Sequence, residues 1–264
     1  MHNIISLFLL ITGFTSQAQI TDIDGNSYDT VRIGSQTWMA ENLNVSRFRN
    51  GDTILEARTD EEWKTAGENQ QPAWCYVFND SGSSVLLGKL YNWYAVNDSR
   101  GLAPEGWHVA SDADWAQLTD HLGGSTIAGP KMKDTSQVNI DAICGLNYRF
   151  INDSACFSIY WPSNFDISVI DNNESGLTVR AGAVRSEKGS FPHEFRGDMG
   201  AHFWTSSIGR NEKRKVVIRS RYSKESRTYS MKKLPVTRYL AGEDEVYRMT
   251  EKEGQGLFVR CIKD

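Results

Sequence analysis

His193, Glu194, Asp198 and His202 put two imidazoles and two carboxylates into one Gly-rich stretch, a donor set of the kind that holds zinc. Their spacing follows no standard zinc site, so the sequence offers donors without a template for them. Asp22, Asp24 and Asn26 have the alternating oxygen spacing of a calcium loop, but no Glu stands at its twelfth position, and the stretch reads as a plain turn. His108 and His121 read as packed or capping residues. There is no G-x-S-x-G elbow and no phosphate-cradling glycine loop. The residues thus indicate no cofactor, and calcium is unsupported by motif.

Four cysteines, Cys75, Cys144, Cys156 and Cys261, are an even number with no CxxC pair, which favours two disulfides over a metal site. Three connectivities are possible. The expected one joins Cys144 to Cys156 across a short segment and Cys75 to Cys261 across most of the chain. In the chain-entropy account the second bridge adds about 4–5 kcal/mol.

The charge is distributed unevenly. Between Gly209 and Lys233 ten Lys/Arg face two Glu, a local balance of +8 in a chain whose net charge is -4. Val216, Val217 and Ile218, followed by Arg219 and Arg221, predict a hairpin with one strongly basic face. Such cations can simply discourage edge-to-edge strand pairing. They can also meet an acidic partner such as a sulfated or phosphorylated glycan, with Arg214, Lys215, Arg219 and Arg221 as the candidate ligand-binding residues. The acidic balance of the whole chain argues against general nucleic-acid binding.

Residues 88–124 carry the clearest structural signals. Leu90 to Val96 reads as an aromatic strand, Asn97 to Gly106 as a turn, and Trp107-His108-Val109 as an apolar rung. A helix then starts at Ser111, with Asp114 completing a capping box. Trp115, Leu118 and Leu122 lie on one face, and Gly123-Gly124 end it. A second capped helix is predicted over 59–67, from Thr59 and Glu62 to Gly67, with Trp63 inward. Asp24-Gly25 signals a hairpin, and Trp38-Met39 a core rung. Strands are expected at 74–78, 176–182, 203–207 and 256–262, and a loop over 125–143.

The apolar run from Ile4 to Ile11 is too short to span a bilayer, and Ser16-Gln17-Ala18 suits signal peptidase. The expectation is a signal peptide over 1–18 and one domain over 19–264, exported to the periplasm, cell surface or medium. No later stretch is apolar for long enough to be a transmembrane helix. High aromatic and glycine content with few long helical periods points to a loop-rich α+β chain.

A run of ordered motifs resembles the Fibrobacter succinogenes major paralogous domain, a family of exported bacterial proteins. They are D-x-D-G-N-x-Y-x-T-V-x-I-G at 22–34, Q-x-W-M-A-E-N-L-N at 36–44, W-C-Y at 74–76 and G-K-L-Y-N-W-Y-A-V at 88–96. G-L-A-P-x-G-W-H-V at 101–109, A-G-x-K-M-K at 128–133, F-W-T-S-S at 203–207 and V-R-C-I-K-D at 259–264 complete them. The chain departs from the family at 144–175 and 208–250. The resemblance implies a C-type-lectin-like fold, similar also to formylglycine-generating enzymes: short helices around small twisted antiparallel sheets, with long loops. It brings no settled activity. The E-P-N, Q-P-D and W-N-D motifs of calcium-dependent lectins are absent. Cys261 reads as half of a structural disulfide rather than as a redox cysteine. The expected function is a non-catalytic module binding an extracellular glycan or protein through 144–250. The alternatives are a carbohydrate-active or modifying enzyme and a structural surface component.

Overall fold

Two helices begin where side chains satisfy the first free backbone N–H groups. In α1 (Asp60–Glu68) the Thr59 hydroxyl accepts from the Glu62 N–H, and the Glu62 carboxylate accepts from the Thr59 N–H at 3.0 Å. Gly67 does not stop this helix; it runs one residue further, and the chain reverses at Gln70, whose φ is 55°. In α4 (Asp112–His121) Ser111 and Asp114 form the same reciprocal pair. Gly123 and Gly124, with φ of 108° and 110°, close the helix. Their N–H groups reach back to the carbonyls of Asp120 and Thr119, the double bond of a Schellman ending that residues with a Cβ resist.

The computed structural model describes residues 19–134, 173–191, 200–209, 213–219, 224–230, 233–240 and 244–264, with 213–219 and 224–230 as backbone. In chain order the strands before α1 are β1 (Gln19–Thr21), β2 (Ser27–Ile33), β3 (Gln36–Met39) and β4 (Leu55–Glu56). β5 (Ala73–Tyr76), α2 (Ser84–Leu87), β6 (Lys89–Tyr91), α3 (Trp93–Val96) and β7 (Trp107–Val109) lead to α4, which α5 (Gly129–Met132) follows. Then come β8 (Ala201–Ile208), β9 (Lys213–Arg219), β10 (Lys224–Ser230), β11 (Pro235–Leu240), β12 (Val246–Thr250), β13 (Phe258–Val259) and β14 (Cys261–Lys263). The described chain is α+β and mostly sheet.

The strands form a five-stranded sheet ordered β1-β2-β3-β14-β7, a four-stranded sheet β12-β11-β8-β13, a three-stranded sheet β4-β5-β6 and the pair β10-β9. Most pairings are antiparallel, while β4–β5 and β13–β8 are parallel. The turns at Gly25 and Gly34 make hairpins of β1–β2 and β2–β3, as Asp24-Gly25 signalled for the first.

Five expectations change. The aromatic run 90–96 is a strand only to Tyr91. The Asn92 side chain then accepts from the N–H groups of Ala95 and Ala73, turning the chain into α3 with Trp93 and Val96 buried one turn apart. The run 74–78 ends its strand at Tyr76, because Phe78 and Asn79 adopt φ of 54° and 57°. Residues 176–182 contribute isolated bridges, Val179 to Lys133 and Gly182 to Gly200, with α5 lying in the stretch expected to be loop. The closing segment is split: β13 joins the four-stranded sheet and β14 the five-stranded one, with Arg260 at the break.

Two apolar clusters result. One lies beneath α1 and α4 and includes Trp38, Trp63, Trp115 and Phe203; the other includes Tyr28, Phe48, Trp74, Trp93 and Trp204. The phenylalanine and tryptophan side chains of β8 divide between them, Phe203 to the first and Trp204 to the second, as strand alternation requires.

Candidate functional site

The end of β4, the end of β5 and the turn at 77–81 line a half-open pocket of about 450 Å³. Glu56, Ala57 and Arg58 form one wall, Cys75 and Tyr76 the second, and Asn79 and Ser81 the third. The walls meet because β4 and β5 run parallel, with Glu56 beside Trp74, and because the left-handed residues Phe78 and Asn79 fold the chain back over β5. Asparagine tolerates that conformation better than most residues.

Arg185 fixes the arrangement from behind. It is fully buried, its Nε donates to the Gly189 carbonyl at 2.6 Å, and its Nη1 donates to the Ala57 carbonyl at 2.7 Å and to Asn79 Oδ1 at 3.1 Å. Its guanidinium lies over the rings of Trp63 and Phe191, 5.0 Å and 5.3 Å from their centroids. Nη2 lies 3.6 Å from Asp60 Oδ1 and makes no hydrogen bond among the described residues. At the rim Arg58 pairs with Glu56 at 2.8 Å. The pair is exposed and adds little to stability.

The chemistry of this cavity turns on Cys75, its only thiol. Burial pushes the thiol pKa up to about 11, and the nearby Arg185 cation opposes that shift without overcoming it. At neutral pH Cys75 is therefore protonated and a poor nucleophile. The remaining walls offer a phenol, an amide, a hydroxyl and one ion pair, which are groups that hold a polar molecule by hydrogen bonds.

The expected Cys75–Cys261 bridge is not formed. Both residues are buried free cysteines, and they lie in different apolar clusters: Cys75 on β5 faces the one beneath the helices, and Cys261 on β14 faces the other. Burial raises the Cys261 thiol pKa even further. Cys144 and Cys156 lie outside the described residues. We predict that Cys75 and Cys261 resist a thiol reagent in the native protein and react once it is denatured. Finding either cysteine in a disulfide on peptide mapping of the unreduced chain would contradict this.

Among the candidate metal ligands, His202 is on β8, while His193, Glu194 and Asp198 lie outside the described residues. The His202 ring packs on Tyr239 with centroids 4.9 Å apart, and its Nε2 is 3.4 Å from Thr237 Oγ1. Among the described residues no three His, Cys, Asp or Glu are grouped to hold a metal. Burial lowers the His202 pKa to about 4, below that of an unfolded histidine. Between these values the unfolded chain binds the extra proton, so stability is full above about pH 6.5 and falls as the pH drops toward 4, by about 3 kcal/mol for this group alone. His202→Gln should flatten that part of a stability-against-pH curve measured by urea denaturation, and an unchanged slope would contradict the assignment.

The Asp22, Asp24 and Asn26 stretch is the plain turn expected. Asp22 accepts from the N–H groups of Asp24 and Asn26 and, at 2.6 Å, from the Tyr28 hydroxyl, so its oxygens are satisfied within the protein. Of the basic residues, Arg214, Lys215 and Arg219 fall on β9, and Arg221 lies outside the described residues. Arg185, Asn79 and the cavity itself were not read from the sequence. The only local signal was Asn79-Asp80, a turn pair at the end of an aromatic run.

Among the described residues no helix is long and apolar enough to cross a membrane. Residues 31–263 match the model of the Fibrobacter succinogenes major domain. No curated protein and no solved structure matches the chain.

Proposed function

Because the chain belongs to the Fibrobacter succinogenes major domain family, we propose that it is an exported binding module, secreted or held at the cell surface, that recognises a glycan or protein without transforming it. In this reading its sheets and short helices are a C-type-lectin-like scaffold, and the region 144–250 presents the recognition surface. What supports the reading is the lining of the described pocket, which lies outside 144–250: a phenol, an amide, a hydroxyl and an ion pair surround a buried Cys75 whose thiol burial holds protonated, groups better suited to holding a polar ligand than to attacking one. No calcium site is proposed at Asp22, whose oxygens accept from the N–H groups of Asp24 and Asn26 and from the Tyr28 hydroxyl.

Arg185 beside Cys75 is the feature that favours the enzymatic alternative, because a cation next to a thiol is how reactive cysteines are made. The two readings separate on a glycan array run with calcium and with chelator at two salt concentrations, followed by mass analysis of the bound glycans. Retention of unaltered glycans, or capture of a protein partner with no product, supports the module. Conversion of a glycan that is lost in Cys75→Ser would establish the enzyme instead.

A further inference from the structure

The backbone pairing sorts the charges of the β9–β10 ribbon in a way the sequence alone does not. Lys213 pairs with Ser230, Lys215 with Thr228, Val217 with Ser226 and Arg219 with Lys224, in an antiparallel register without a slip. Antiparallel partners share a face, and alternate residues along a strand fall on opposite faces. One face therefore holds Lys213, Lys215, Arg219 and Lys224 with three hydroxyl residues, Val217 and no acid. The other holds Arg214, Arg227 and Glu225 together with Val216, Ile218 and Tyr229. The first face carries four cations and the second a net of one, so the basic character belongs to one side. Arg214, which the sequence grouped with Lys215 and Arg219, is on the other side.

The ribbon follows β8 and precedes β11 in the chain. Ile208 pairs with Pro235 where β8 meets β11, and Lys213 pairs with Ser230 five residues further along in sequence on each side. The Gly209 N–H donates to the Leu234 carbonyl at 2.8 Å between them. The pair β10-β9 is a sheet of its own, and among the described residues neither β9 nor β10 pairs with any other strand. Protection against edge pairing needs charge on the edges but does not need it gathered on one face.

We propose that the face bearing Lys213, Lys215, Arg219 and Lys224 binds a linear polyanionic glycan. From Lys213 to Arg219 the row extends about 20 Å at the rise of an antiparallel strand, more than a single phosphate or carboxylate could engage. Sulfate or carboxylate groups repeating along a sugar chain would meet the cations successively, and Ser226, Thr228 and Ser230 supply hydroxyls on the same face. A polysaccharide is favoured over a nucleic acid because this face carries serine and threonine residues suited to a sugar chain but no aromatic residue for base stacking and no Asn or Gln for reading base edges. The inference rests on the binding-module reading and specifies its ligand class.

The test uses the purified chain and two double variants that remove equal charge from opposite faces, Lys215→Gln with Arg219→Gln, and Arg214→Gln with Arg227→Gln. Binding to dextran sulfate, neutral dextran and duplex DNA is measured by calorimetry at low and high salt, with circular dichroism showing that each variant is folded. The expected result is salt-sensitive binding to dextran sulfate alone, weakened about tenfold or more in the first variant and less than about twofold in the second. Equal weakening in both variants would overturn the facial assignment, and equally tight binding to DNA would overturn the glycan. If dextran sulfate does not bind while the array shows a neutral glycan, this inference fails and the module reading survives.

Discussion

Replacing Arg260 with methionine should lower the unfolding free energy by about 3–5 kcal/mol, enough to leave many domains largely unfolded. The residue is fully buried at the point where the last segment passes from the four-stranded to the five-stranded sheet. Its Nε donates to Asn42 Oδ1 at 2.6 Å. Nη1 donates to the carbonyls of Met39, Ala40 and Leu177, and Nη2 to the carbonyl of Thr178 at 3.0 Å. Burial pushes its pKa down to about 9, which still leaves it charged at neutral pH, with the Glu41 carboxylate the charge that most favours the cation. Methionine fills much of the volume but leaves four carbonyls and an amide oxygen buried without a donor, and each unsatisfied group costs about 1–3 kcal/mol before the structure relaxes. Lysine should be nearly as damaging, because one ammonium cannot reach acceptors spread around a planar guanidinium. Urea denaturation of the two variants decides the matter, and a loss below about 1 kcal/mol would show that the acceptors find other partners.

Trp115→Ala should cost a similar amount, about 3–5 kcal/mol, through the cavity left at the centre of the cluster beneath α4. The ring is fully buried, edge-on to Trp38 at 5.1 Å and tilted against Phe203 at 5.2 Å. Trp115→Phe provides an internal control. The Trp115 Nε1 has no hydrogen-bond acceptor among the described residues, so phenylalanine sacrifices volume but no polar contact. Its cost should stay below about 1.5 kcal/mol. If phenylalanine proved as destabilising as alanine, the indole N–H would have a partner and the cluster would owe its stability to more than packing.

Those two positions differ in how far the sequence announced them. Trp115 was placed on the buried face of α4 by its spacing from Leu118 and Leu122 and by the caps at either end, all within a dozen residues. Arg260 lay in a run of alternating apolar residues and showed nothing of its role. Lys89 is similar: nothing in its local sequence marks a buried lysine, yet it is buried with its Nζ 4.3 Å from the Trp74 ring centre and donating to the Asn44 carbonyl and the Ser46 hydroxyl.

By itself the sequence determined the features whose hydrogen bonds close locally. These are the capped helices α1 and α4, the turn at Asp24-Gly25, the paired strands of the basic hairpin and the family to which the chain belongs. The tertiary structure decided what depends on partners far along the chain. It split the last strand between two sheets, left Cys75 and Cys261 in separate clusters, and buried Arg185 and Arg260. It also formed the pocket beside Cys75, while strand pairing decided which cations share the basic face of the ribbon and put Arg214 on the other. The physical reason is that a cap or a turn is satisfied by its neighbours, whereas a buried charge is tolerable only where distant carbonyls converge on it. For Arg260 those carbonyls come from residues 39–40 and 177–178, and no local pattern foretells that convergence.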